Sequence, residues 1–125
     1  MSSSKNLLTF YQELESRLSS LLVTYERWEH LSEVDKQLLG IQCRATRDWI
    51  QVTRDWMERH RENAPELMSE SLAGFNEIAL RMPENCNPEH NETWYEHLYE
   101  SCRMTRLRIG TLRAQLHAET QNTPI

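Results

Sequence analysis

From Leu7 to Trp28 the apolar residues Leu7, Tyr11, Leu14, Leu18, Leu21, Tyr25 and Trp28 recur at alternating steps of four and three without a break. That spacing returns each side chain to one stripe of an α-helix, whereas a β-strand would need alternation at every second residue. A chain that opens this way must bury one side of a long helix against something else. Leu8 and Leu22 widen the stripe, and the pattern predicts a first helix over about 5–30.

The same period continues along the chain. Ser32 followed by Asp35 resembles a capping box with Asp in place of Glu, which predicts a second helix over about 33–62. Its apolar seam reads Val34, Leu38, Ile41, Ala45, Trp49, Val52 and Trp56. Pro65 suits a first helical turn, so a shorter third helix is expected over 65–82, with Met68, Leu72, Phe75, Ala79 and Met82 inward. Two prolines and two asparagines make 83–90 a loop. A fourth helix is expected from about 91 to 119, facing inward with Trp94, Leu98, Cys102, Ile109, Leu112 and Leu116, helped by Met104 and Leu107.

Only three glycines and four prolines occur in 125 residues, too few for a turn-rich β fold. The expectation is an all-α, single-domain antiparallel bundle of three long helices and one shorter one, coiled-coil-like in period, with frayed ends at about 1–4 and 120–125. No apolar run approaches the roughly 20 residues of a membrane span, and Met1 to Lys5 leads into the helical pattern without an apolar leader. The chain therefore reads as cytoplasmic or otherwise intracellular. Three cysteines without paired spacing fit a reducing compartment better than a disulfide framework.

A tetrapeptide occurs twice, one heptad apart: Thr46-Arg47-Asp48-Trp49 and Thr53-Arg54-Asp55-Trp56. Large aromatics beside arginines dominate both core packing and association energetics. Trp49 and Trp56, with Trp28 and Trp94, are thus either core residues or anchors for a partner. Glu92, Glu96 and Glu100 form an i, i+4 acidic ladder that reads as a solvated face or as a docking surface for a basic partner. Arg44, Arg47, Arg54 and Arg61 share one edge of the second helix, and Arg103, Arg106 and Arg113 lie on the fourth. They pair with neighbouring carboxylates, or they track phosphates as a sequence-independent nucleic-acid-binding accessory subunit would. A net charge of −5 weighs toward the carboxylates.

Catalytic signatures are missing. Isolated glycines cannot cradle phosphate, no serine sits in a nucleophile elbow, and neither Glu-x-x-His nor His-Glu-x-x-His occurs. The best metal candidate is Cys86, His90, His97 and Cys102, whose spacing matches no compact zinc site. The reading is therefore a non-enzymatic helical interaction protein without a cofactor: an oligomeric adaptor, small subunit or inhibitor. Its partner is another protein, including a second copy of itself as a homodimer, and nucleic acid is the alternative.

Overall fold

The structure, a computed structural model, describes residues 3–82 and 93–121. Four α-helices and no strand occur among them: α1 (Ser3–Glu26), α2 (Glu33–Arg59), α3 (Pro65–Arg81) and α4 (Trp94–Gln121). Ser3 and Ser4, expected to fray, belong to α1, and Ser4 is buried. Helix α1 stops at Glu26 rather than near residue 30, because a 3₁₀ turn at Trp28–His30 swings the chain round before the cap of α2. That cap is the expected one: Ser32 Oγ accepts a hydrogen bond from the Asp35 amide at 3.2 Å. A second 3₁₀ turn, Arg61–Asn63, leads to Pro65 in the first turn of α3. The loop expected over 83–90 lies outside the described residues.

Successive helices run antiparallel. Helices α1 and α4 share the longest contact, clasped at three levels. Ser4 Oγ donates to Glu119 Oε1 at 2.8 Å, Arg106 Nε to Glu15 Oε1 at 2.9 Å, and the Tyr95 hydroxyl to Glu26 Oε1 at 3.0 Å. Residue numbers rise on α1 as they fall on α4, as antiparallel packing requires. Helix α2 lies against α1 and α3, while α3 and α4 touch only slightly, partly through an ion pair of 2.9 Å between Arg108 and Glu70.

Every inward residue expected of α1 from Leu7 to Leu21 is buried, and Tyr25 and Trp28 are half-buried against the core. Rings interlock across helices: Tyr11 meets Phe75 edge-on at 5.0 Å, and Tyr25 meets Trp94 edge-on at 4.7 Å. On α3, Ile78 is buried, while Leu72 and Ala79 reach the core only partly. On α4, Met104 and Leu107 face solvent instead of helping the seam. Thr105 fills the interval between Cys102 and Ile109, its hydroxyl donating to Ser101 O at 2.7 Å.

Helix α2 departs furthest from expectation. Its buried face is Leu39, Cys43, Thr46, Ile50, Thr53 and Met57, again spaced four and three but rotated from the expected seam. Val34, Leu38, Ile41, Ala45 and Val52 are exposed. The two threonines explain the turn. Thr46 donates to Gln42 O and Thr53 to Trp49 O, each at 2.8 Å, so both hydroxyls are satisfied within the helix and pack as small apolar groups. The small threonines take the interior, and the bulky indoles of Trp49 and Trp56 sit at its rim.

Candidate interaction surfaces

The repeated tetrapeptide now has a geometric meaning. In each copy the threonine enters the core, the tryptophan borders it, the aspartate is exposed and the arginine is half-buried. The indole of Trp56 packs edge-on to Phe10 of α1 at 5.0 Å and stacks on His60 at 4.1 Å. Trp49 lies 6.1 Å from Phe75, and the Arg17 guanidinium covers its ring at 5.1 Å. Trp28 is capped by the Lys36 ammonium at 4.9 Å, and Trp94 is fully buried. None of the four tryptophans stands free as an anchor. Trp94 is core, and the other three join helices at the edge of the core.

What α2 leaves open is the stripe beside those indoles. Val34 is 64% exposed, Leu38 48%, Ile41 51% and Val52 64%, with Ala45 between them. These residues repeat every one or two turns along a straight face about 27 Å long, at 1.5 Å per residue. Sequence reasoning found the stripe but placed it inside. The signal that could have placed it outside was the competing Thr46 and Thr53 period, which is hard to weigh because an isolated threonine reads as polar.

The acidic ladder is only partly available. Glu96 is exposed, Glu100 pairs with Arg103, and Glu92 lies outside the described residues. The Arg103 guanidinium holds the Glu100 carboxyl below its ordinary value. The arginines of α4 serve the bundle in the same way. Arg106 bridges to Glu15 of α1, lowering that carboxyl, and Arg108 bridges to Glu70 of α3. Arg113 is exposed. Among the described residues Arg103, Arg106 and Arg108 meet carboxylates of α4, α1 and α3, whereas Arg44, Arg47 and Arg54 of α2 line a groove with α3, and no hydrogen bond or ion pair joins the two sets.

Arg61, expected on the second helix, lies in the 3₁₀ turn that follows α2, where it pairs with Glu58 at 3.2 Å and donates to Ser69 of α3. Arg44, Arg47 and Arg54 line a groove of about 780 Å³ between α2 and α3, with Asp48, Gln51, Asn76, Ala79 and Leu80. Among the described residues none of these three arginines makes an ion pair.

Cysteine chemistry divides. Cys102 is a free thiol whose pKa is raised by burial, the mark of an unreactive core cysteine, while Cys43 is disulfide-bonded. The cysteine count therefore does not translate into three free thiols. Of the metal candidate, Cys86 and His90 lie outside the described residues, and His97 and Cys102 belong to no cluster of metal-ligating side chains among those described. No helix among the described residues is long and apolar enough to cross a membrane.

The site is thus a set of surfaces on an all-α antiparallel helical bundle. Compared with family models, curated proteins and solved structures, the chain matches none of them.

Proposed function

We propose that this protein is a non-enzymatic helical interaction module, an oligomeric adaptor or small subunit, that associates through the outward face of α2. The observation that carries the reading is the exposed stripe Val34, Leu38, Ile41, Ala45 and Val52, bordered by Trp49 and Trp56. Four large apolar side chains aligned on one helix face gain by being covered, at about 25 cal/mol per Å² of apolar surface removed from water. Contiguous patches of this kind mark interaction sites rather than ordinary surface. A straight stripe also suits a second copy of itself. Two such faces laid antiparallel about a two-fold axis are self-complementary without any new shape. Exposed charge at Asp35, Arg44 and Asp48 would set register rather than affinity.

Sedimentation over low to high micromolar concentration tests this. The expected result is a mass that rises toward a dimer, and Leu38→Glu with Ile41→Glu should keep the far-UV helical signal but stay monomeric. A wild-type chain that remains monomeric throughout would reject self-association by α2. The alternative of a nucleic-acid-binding accessory subunit working through α2 and α4 together has less support, because the arginines of α4 are largely engaged by carboxylates of the bundle.

A further inference from the structure

Half of the twelve arginines in this chain are neutralised at home. Arg17, Arg61, Arg81, Arg103, Arg106 and Arg108 each meet a carboxylate. Of the six without an ion pair among the described residues, Arg27, Arg59 and Arg113 are scattered over the surface, whereas Arg44, Arg47 and Arg54 all line one groove between α2 and α3. In a chain with 19 acids and 14 bases, three unpaired guanidiniums in one place are not a consequence of scarce carboxylates.

A second observation points the same way. Arg54 Nε is buried and has no hydrogen-bond partner among the described residues. Its Nη1 donates to Gln51 Oε1 at 3.1 Å, so the side chain is held while its buried Nε–H remains unused. A buried donor without an acceptor is costly, and in a fork of five donors it is the feature an oxyanion would satisfy. Asn76 adds an amide from the α3 wall.

Spacing selects the ligand. Arg44 and Arg54 lie ten residues apart, about 15 Å along the helix axis, with Arg47 between them. One isolated phosphate cannot meet all three at once, but a linear chain of phosphoryl groups can. Guanidinium forks match phosphate oxygens in bidentate pairs, and arginine suits this role better than lysine does. We propose that the groove between α2 and α3 is a binding site for an extended phosphoryl polyanion, held by Arg44, Arg47 and Arg54 with Asn76. Asp48, on the same wall, opposes the anion and sets an upper bound on its charge density at that point.

The chemistry is shared by inorganic polyphosphate and by a single-stranded nucleic-acid backbone, and the test separates them. The full chain is titrated with inorganic tripolyphosphate and, in parallel, with an oligothymidylate. Heteronuclear NMR follows the Arg54 Nε–H resonance, and calorimetry measures affinity at several salt concentrations. The expected result is a shift of that resonance, with affinity that weakens as salt rises at a log–log slope near −2 for about three contacts on a single strand. Arg47→Gln and Arg54→Gln should each weaken binding about tenfold, as loss of a charge-assisted hydrogen bond does. Asp48→Asn should strengthen it, and Arg113→Gln, an exposed arginine on α4, should leave it unchanged. Should Arg54→Gln perturb the fold, the exposed Arg44→Gln makes the same test. Tripolyphosphate binding alone assigns a small polyphosphate, and tighter oligothymidylate binding assigns a nucleic-acid backbone. A still Arg54 resonance with both probes, or equal weakening by Arg113→Gln, overturns the proposal.

Discussion

Truncating two isoleucines of α2, nine residues apart, decides which of its two apolar stripes is core. Ile50 is fully buried and Ile41 is 51% exposed, so Ile50→Ala and Ile41→Ala are the same chemical change in opposite surroundings. Each removes three carbons, about 2.4 kcal/mol of transfer free energy at roughly 0.8 per carbon when burial is complete. At Ile50 a cavity adds to that, because neighbouring helices collapse only partly, and the total should be about 3 kcal/mol. At Ile41 half of the transfer term is already lost to water. Alanine's better helix propensity then returns a few tenths of a kcal/mol. The net cost there should stay below about 1 kcal/mol. For a chain of 125 residues these figures correspond to a fall in Tm of about 10 °C for Ile50→Ala and about 3 °C or less for Ile41→Ala. Urea unfolding followed by far-UV circular dichroism at low micromolar protein gives the comparison directly. Raising the concentration should increase the cost of Ile41→Ala alone, since only that side chain lies on the proposed association face. Equal costs for the two variants at the lowest concentration would refute the assigned rotation of α2, and the proposed interface with it.

Three further outcomes are expected. A Cβ at Gly40 or Gly110 meets nothing within 4 Å, so Gly40→Ala and Gly110→Ala should each stabilise by about 0.8–1 kcal/mol in thermal unfolding, whereas at Gly74 the Tyr11 hydroxyl at 3.4 Å should reduce that gain. Ser32→Ala removes the oxygen that accepts the Asp35 amide and should cost about 1 kcal/mol in urea unfolding, with Ser32→Asp restoring most of it. Arg106 holds the Glu15 carboxyl below its ordinary value, so the unfolded chain takes up that proton first as pH falls. The pair's contribution is therefore complete above the ordinary carboxylate range, near 4.3, and drains away below it. Arg106→Ala should flatten the acid limb of the stability–pH curve, and added salt should do the same to the wild type. An unchanged acid limb would remove the pair from the account.

How much of this was legible beforehand varies with the helix. Helix α1 could be read almost residue by residue from its period, because its apolar positions form one unbroken stripe with no rival. The cap at Ser32 and the first-turn Pro65 were equally plain, since both act within a few residues of chain. Helix α2 carries two stripes of the same period, one of aliphatic and indole side chains and one of Leu39, Cys43, Thr46, Ile50, Thr53 and Met57. Residue hydrophobicity ranks the first above the second. The ranking fails because threonine loses its polar cost when its hydroxyl bonds back to the preceding turn.

The sequence by itself determined the helices, their order and the all-α class, since the period of apolar residues and the caps are local properties of the chain. The rotation of α2, the burial of Trp94 as against the rim positions of Trp49 and Trp56, and the gathering of Arg44, Arg47 and Arg54 in one groove with Asn76 were decided only by tertiary structure. The physical reason is that a helix interior admits side chains by the room its neighbours leave, and pairs its charges with whichever acids those neighbours bring within reach. Both depend on distances between residues far apart in the chain, and no local pattern encodes them.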